Sequence, residues 1–329
     1  MVEQGKKILI TGLTGFAGSH VADYLIETQP TAIIFGAKRP NSRMRNVTHL
    51  GDKVTWVDCD ITDSTSMIEL IKKTRPDQIY HFAALSWVSP SWSMPAAYMQ
   101  TNAIGTINLL EAMRHLGHKA RVLVSCTPEE FGDVPKEKLP ITEETPIHPI
   151  NPYAASKVAQ DVVCMTWAAS YGFEIIRTRA FNHEGPRRDI QGANASFAYQ
   201  IAKIENGLMN PVVKVGNLEA TRNFTDVRDL ARAYVLAMEH CVPGELYLIG
   251  SDYVHTMKDC LEYLISCSTR KDIRYEIDPE RVRPTELKYF IGDFTKFYKA
   301  TGWKPTYSFE ETLGSVLDFW RQFLKNGYY

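Results

Sequence analysis

Nothing in this sequence marks it for metal, membrane or nucleic acid. Its six cysteines (Cys59, Cys126, Cys164, Cys241, Cys260 and Cys267) form no CxxC pair and fall in no metal-ligand spacing. Isolated thiols suit a reducing compartment better than a disulfide framework, so a cytoplasmic protein without metal is expected. Charge of neither sign is in excess: 37 lysines and arginines meet 38 acids, a formal net charge of −1, and the basic residues are scattered. A nucleic-acid partner calls for a basic stripe or patch, and none is expected here. No apolar run approaches the roughly 20 residues that cross a bilayer, and the opening MVEQGKK has no apolar signal core. Internal repeats and low-complexity tracts are missing as well, which excludes solenoids and flexible arrays. What remains is a chain of 329 residues, enough to bury a sizeable core in one large domain or two modest ones.

Strand-like runs alternate with helical spans through the first half. KKILIT, TAIIFGA, VTWVDCD, QIYHFAA, RVLVSC and FEIIRTRAF are short and apolar, and patterns such as SMIELIKKTR and NAIGTINLLEAM (102–113) lie between them. Strands separated by helices of this length predict an α/β fold with a doubly wound parallel (Rossmann) sheet. Right-handed crossovers then set the strand C-termini along one edge, where ligands bind. After Phe181 the rhythm breaks, and residues 182–220 are rich in Gly, Asn, Pro and Arg. It returns in DVRDLARAYVLAMEH and ELYLIG. From Ser251 come another helix, a charged stretch ending RVRPTE, and a terminal helix from Phe309. We therefore expect a dinucleotide-binding domain over residues 1–181, completed by about 221–250. Residues 182–220 and 251–329 should form a smaller C-terminal α/β lid over the sheet edge, with the ligand in the cleft between.

The first strand runs straight into GLTGFAGSHVADYLIE. Gly12, Gly15 and Gly18, with Phe16 among them, form a glycine-rich strand-to-helix turn. Backbone N–H groups and a helix N-terminus can meet a pyrophosphate there with no Cβ in the way. The GxxGxxG spacing differs from the commoner GxGxxG fingerprint. An NAD-preferring enzyme usually carries an acid after the second strand to hold the ribose 2′-OH. Lys38 and Arg39 stand there instead, a pair that attracts a 2′-phosphate, so NADP is favoured. Asp60 and Ile61 follow the third strand, where an acid can meet the adenine amino group. Ala83 and Ala84 end the fourth with side chains small enough to let a cofactor approach.

The stretch NPYAASK sets Tyr153 and Lys157 four apart, on one face of a helix. A fixed ammonium beside a phenol favours phenolate. Lowering a phenol from ~10 by about 3 units takes roughly 4 kcal/mol of differential stabilisation. One close cation in a dry cleft, helped by a cationic nicotinamide ring, can supply it. The fifth strand ends in SCTPEEFG, where Thr127 and Glu129 would project to the same side of an extended backbone. A hydroxyl there can hydrogen-bond a reacting substrate oxygen. A carboxylate there can take a proton α to a carbonyl or protonate a leaving hydroxyl. Glu130 reads as a loop acid facing water, His81 and His183 as satisfied structural histidines, and Cys126 as a small buried residue.

The glycine turn, Thr127 and the YAASK helix resemble the extended short-chain dehydrogenase/reductases, and the likeness runs over nearly the whole chain. More narrowly, FNHEGPRR (181–188) is similar to a segment of the GDP-mannose 4,6-dehydratases. VGNLEATRNFTDVRD (215–229) looks more like the GDP-4-keto-6-deoxy-mannose reductases, and RVRPTE (281–286) with the following GDFTKFYKATGWKP resembles both. The resemblance implies the fold, NADP(H), and a GDP-hexose as small-molecule partner. It places Asn182 at the sugar or its diphosphate, Lys214 and Asn217 along the nucleotide, and Glu286 among the substrate contacts. Arg222 and Arg283 fall on the diphosphate, whose oxygens planar guanidinium groups match bidentately. It implies, further, a homodimer or homotetramer paired through the helix that bears the tyrosine and lysine.

Some positions depart from the dehydratase pattern. Pro128 stands where several sugar-nucleotide dehydratases have Asp or Ser, so Glu129 would serve both as base at C5 and as acid at the C6 oxygen. Phe131 replaces a more usual Tyr, as packing. Gly185 and FTDVRD lean toward the reductase, whereas the TxE arrangement, HE-PRR and Lys38-Arg39 lean toward the dehydratase. The leading expectation is an NADP-dependent GDP-mannose (GDP-hexose) 4,6-dehydratase, passing hydride internally from C4 to C6 with loss of water. The alternatives are an NADPH-dependent GDP-4-keto-6-deoxy-D-mannose 4-reductase, a nucleotide-sugar 4-epimerase, and a non-catalytic NADP-binding regulator.

Overall fold

Ile8, Leu9 and Ile10 are wholly buried, so the strand that carries them needs cover on both faces. That strand, β1 (Lys7–Thr11), is an inner strand of the sheet in the computed structural model, which describes residues 5–281 and 287–327. It is followed by α1 (Phe16–Thr28), β2 (Ile33–Lys38), β3 (Val54–Asp58), α2 (Ser64–Thr74) and β4 (Gln78–His81). Two short helices, α3 (Val88–Ser91) and α4 (Pro95–Tyr98), and a π-helical turn over Met99–Ile104 lead into α5 (Gly105–His115). Then come β5 (Arg121–Cys126), α6 (Pro152–Tyr171) and β6 (Ile175–Ala180). The start of α6 is set locally. Asn151 accepts the Ala154 N–H, Pro152 opens the first turn, and Gly172 ends the helix at φ 67°.

The second half holds β7 (His183–Glu184), α7 (Ala193–Glu205), β8 (Val212–Val215), β9 (Thr221–Asn223), β10 (Thr225–Asp226), α8 (Val227–His240) and β11 (Leu246–Ile249). It ends in β12 (Val254–Thr256), α9 (Met257–Ser266), β13 (Arg274–Ile277), β14 (Tyr289–Phe290), α10 (Thr295–Thr301) and α11 (Phe309–Lys325). Seven strands pair in parallel in the order β11-β6-β5-β4-β1-β2-β3. The chain winds outward through β2 and β3, then returns to the opposite side of β1 with β4. That reversal opens a crevice beyond the strand C-termini, directly at the glycine turn.

One face of the sheet is covered by α1 and α8, the other by α2, α5 and α6, each with its own buried cluster. A further cluster gathers α7, β8, α9 and α11 around Phe197, Leu261, Leu317 and Trp320. The chain shuttles between the two bodies. It leaves the sheet after β6, returns in α8 and β11, leaves in α9, comes back in α10 and ends in α11. Residues 251–329 therefore do not all lie in the lid as expected. Phe297 and Trp303, on and just after α10, are wholly buried in the sheet-side core, and Trp303 Nε1 donates to the Asp229 carbonyl at 3.0 Å. Two large rings that fill the groove beside α8 outweigh the simple division by sequence. Among the described residues no helix is long and apolar enough to cross a membrane.

Candidate active site

A cavity of about 1280 Å³ runs along the C-terminal edge of the sheet, floored by the strand ends and roofed by the α7–β8–β9 region. At one end lies the glycine turn. Gly12 sits at φ 71°, and a Cβ there would come within 2.7 Å of the Ala83 nitrogen; one on Gly18 would meet the Gly12 carbonyl oxygen at 2.6 Å. Both glycines let the turn lie flat against β4 and α1. Gly15 is the N-cap of α1, with no capping side chain and no acid in the first turn. The unpaired N–H groups of that helix end therefore face the cavity together with its positive dipole end. Gly12, Gly15, Phe16 and Gly18 all line the space, and this donor set fits a dinucleotide diphosphate.

Beside the turn, Lys38, Arg39, Asp60, Ile61, Ala83 and Ala84 all reach the wall, as the sequence suggests. Lys38 differs in one respect: its ammonium lies 2.6 Å from Asp58, so its charge is already answered across the β2–β3 edge. Arg39 also lines the wall, and its backbone N–H donates to Ser42 Oγ beside it. Asp60 is held below its ordinary range by the Thr62 N–H and hydroxyl and by the charge of Arg39.

Thr127 is extended (φ −144°, ψ 142°), but Glu129, two residues on, is not. Residues Pro128–Phe131 form a 3-10 turn capped by Thr127, whose hydroxyl accepts the Glu129 N–H at 3.3 Å. A proline at the first helical position and a hydroxyl before it favour that turn over strand continuation. Glu129 still lines the cavity, half-buried, and Asn151 Nδ2 donates to its carboxylate at 3.1 Å. Glu130 does not face water. Its carboxylate is fully buried, accepts the Thr127 N–H at 3.0 Å, and lies 2.8 Å from the Arg179 guanidinium, which also meets Asp161 at 2.6 Å. Burial pushes the Glu130 carboxyl up to about 8, with the charge of Arg179 opposing and that of Asp161 adding. The capping box of a tight turn points this acid inward, and its partner lies 49 residues away on β6, which adjacency in sequence does not reveal.

Tyr153 and Lys157 line the cavity on one face of α6. Burial raises the Tyr153 phenol above its ordinary value; its hydrogen bond with Thr127 works against this, while the charges of Glu129 and Glu130 add to it. Lys157 directs its ammonium at the Ser125 carbonyl, 2.5 Å away, and at Gln160 Oε1. Burial lowers this lysine, and the negative groups behind it work the other way. The Thr127 hydroxyl meets the Tyr153 phenol, and Lys157 and Glu129 line the same cavity.

Toward the roof, Asn182, Lys214, Asn217 and Arg222 line the same space. Lys214 is 2.5 Å from Glu276, and Asn217 Oδ1 accepts the Glu219 N–H. Arg283 and Glu286 lie outside the described residues. The sequence reading misses Trp87 and Arg281, both on the wall, and Asn151 as the partner of Glu129. The Asn-Pro pair before Tyr153 is an N-cap signature and could have drawn attention to it. Arg188 stacks between Phe16 (5.0 Å) and Trp87 (5.1 Å), linking the glycine turn to the loop after β4. His81 and His183 both have hydrogen-bond partners, His81 in Thr11 and Thr106 and His183 in the Phe181 carbonyl. His183 stacks on Phe16, and both histidine rings are buried and pushed well below the ordinary histidine value. Among the described residues, Cys126, Glu130 and Asp161 make a group with metal-ligand potential, but the Arg179 guanidinium already fills the space against both carboxylates.

A model of the family described as GDP-mannose 4,6 dehydratase matches residues 9–316. The chain belongs to that family. It is 30% identical to the GDP-6-deoxy-D-mannose reductase of Pseudomonas aeruginosa over 96% of this chain and 97% of that one. To the GDP-mannose 4,6-dehydratase of Yersinia enterocolitica it is 28% identical, over 95% and 93%. The solved structure of RMD from Pseudomonas aeruginosa complexed with NADPH superposes with a TM-score of 0.82 at 28% identity, covering 96% of this chain and 99% of that one. The GDP-mannose 4,6 dehydratase family, with its close reductase relatives, uses a nicotinamide cofactor and a GDP-sugar substrate.

Proposed function

We propose that this protein is an NADP-dependent 4,6-dehydratase of GDP-mannose or a close GDP-hexose. The observation that carries this reading is Glu129. It is a carboxylate on the cavity wall, beside the Thr127–Tyr153 pair and oriented by Asn151, where a simple ketoreductase has no need of a second base. The glycine turn with Gly12, Gly15 and Gly18 would hold the cofactor diphosphate, Arg39 its 2′-phosphate, Asp60 and Ile61 the adenine, and Tyr153 with Lys157 the nicotinamide end. When bound, the cofactor supplies hydride acceptance at C4 and hydride return at C6, so none is consumed.

The chain's own residues do the rest. Tyr153 takes the proton of the C4 hydroxyl, and Thr127 holds the same oxygen. The ammonium of Lys157 favours the charged phenol once the site is filled and dry. The 4-ketone acidifies C5–H, Glu129 removes that proton and passes it to the C6 oxygen, which leaves as water; when hydride reaches C6, C5 regains one proton, balancing the one Tyr153 took from the C4 hydroxyl. Oxidation must come first, because without the ketone C5–H is far too weak an acid for a carboxylate. Asn182, Lys214, Asn217 and Arg222 would hold the GDP-sugar under the roof, and the α7–α9–α11 body would be its binding domain. Arg283 and Glu286 remain proposed contacts. A homodimer or homotetramer through α6 is supported by the exposed Val162 and Met165 on that helix and Met99 and Ile104 beside it.

The likeness to a reductase over the whole chain favours a second reading, in which Tyr153 acts as acid in a single reduction at C4. One experiment separates them. Purified protein with GDP-mannose and no added cofactor, followed by NMR, should give a 4-keto-6-deoxy product. Turnover only with NADPH and a 4-keto-6-deoxy substrate would replace the dehydratase with the reductase.

A further inference from the structure

A line of buried polar side chains runs behind the cavity floor, from Lys157 to the glycine turn. The Lys157 ammonium donates to Gln160 Oε1, and Gln160 Nε2 donates to Thr106 Oγ1 at 2.8 Å. His81 Nε2 lies 3.0 Å from that same oxygen, and His81 Nδ1 lies 2.8 Å from Thr11 Oγ1. Thr11 ends β1 immediately before Gly12, and its hydroxyl also takes the Ala83 N–H at 3.3 Å. All five side chains are buried.

The protons along this line can be placed by counting. A threonine hydroxyl gives one proton and accepts on its lone pairs. Thr106 gives its proton to the Asn102 carbonyl at 2.7 Å, so toward Gln160 and His81 it can only accept. His81 Nε2 therefore carries a hydrogen. Burial, with the charge of Lys157 adding to it, lowers the ring to about 3, so it is neutral and Nδ1 is bare. Nδ1 must then accept from Thr11, whose oxygen accepts from Ala83. One arrangement satisfies every member.

We infer that His81 and Thr106 are positioning residues for Lys157. Through one fixed proton arrangement they tie the helix bearing the ammonium to the turn that meets the cofactor, so that the reacting pair and the cofactor cradle keep a constant offset. The inference rests on the reading of Lys157 as catalytic. A doubly protonated or flipped imidazole would set donor against donor at Thr106 or Thr11, so the device works only with a ring that does not titrate.

Long-range proton–nitrogen NMR on the intact chain should show His81 as the neutral Nε2–H form, unchanged from about pH 5 to about pH 9. A titration near the ordinary histidine value, or an Nδ1–H signal, overturns the inference. Thr106→Val removes the shared oxygen at nearly equal volume, whereas Thr106→Ser keeps it. The valine variant should lose about 10- to 100-fold in kcat with the sugar KM unchanged, the size expected for a misplaced catalytic group. The serine variant should recover most of that loss. A valine variant with wild-type kcat, or a serine variant no better than valine, overturns it. Should the valine variant not fold, the histidine spectrum of the wild type decides alone. If wild-type protein turns over no GDP-sugar, the functional reading fails while the spectrum still tests the proton arrangement.

Discussion

Glu129 and Glu130 are adjacent, chemically identical, and put to opposite uses. Glu129 faces the cavity and should act as base, so Glu129→Gln is expected to cut elimination by about 10²–10⁴-fold. The initial C4 oxidation should survive, visible as enzyme-bound NADPH absorbance. Tyr153→Phe should stop both steps; a variant lacking that phenol and still able to oxidise C4 would end its assignment. Glu130 holds its proton in the folded chain up to about 8, whereas the unfolded chain releases it near 4.5. Its contribution is therefore lost as pH rises through that window. Against Glu130→Gln, the wild type should lose up to about 1.4 kcal/mol per pH unit there, read from denaturant melts at several pH values. At this scale the sequence showed which side chains line the candidate site, because Tyr-x-x-x-Lys and Thr-x-Glu are local patterns. It hid Glu130, since the capping box that points that acid inward was not legible and the Arg179 that meets it lies on a distant strand.

Whole elements were easier to read than the turns between them. Helix starts announce themselves through short polar caps. Asp63, Asn151, Asp226, Thr256 and Ser308 each accept a backbone N–H at the head of a helix that the apolar rhythm had already suggested. The 3-10 turn after Thr127 was not legible, because two residues of spacing fit a strand as well as a cap. The placement of α10 was not legible either, being decided by which groove accepts Trp303. Asp229 on α8 fixes that groove by accepting the Thr306 and Tyr307 N–H groups at 2.7 and 2.9 Å. Asp229→Ala should leave both unpaired and cost roughly 3 kcal/mol, measurable by chemical denaturation. Glu205 joins α7 to α11 through Arg321 and to the turn after α9 through Thr269 and Ser268. Burial alone would raise its carboxyl, but those partners hold it down at about 2. Its contribution is present above the unfolded value of 4.5 and lost as pH falls below it. The melting-temperature gap between wild type and Glu205→Gln should accordingly be full at neutral pH and close on acidification.

For the molecule as a whole, the alternating rhythm predicted the parallel sheet and the crevice at its reversal, because a doubly wound topology leaves few other places for a ligand. Occupying that crevice should stabilise the folded chain by about 2.7 kcal/mol at a hundredfold excess over Kd. Thermal melts should rise more with NADPH than with NADH, and Arg39→Ala should narrow the difference. Equal shifts in wild type would assign the 2′-phosphate no partner here. The repeated passage of the chain between sheet and roof has a mechanical corollary. The two bodies are stitched together rather than hinged on one thread. A protease that nicks a single connection should release nothing: the clipped protein ought to travel as one particle under native conditions and fall into two fragments only when denatured.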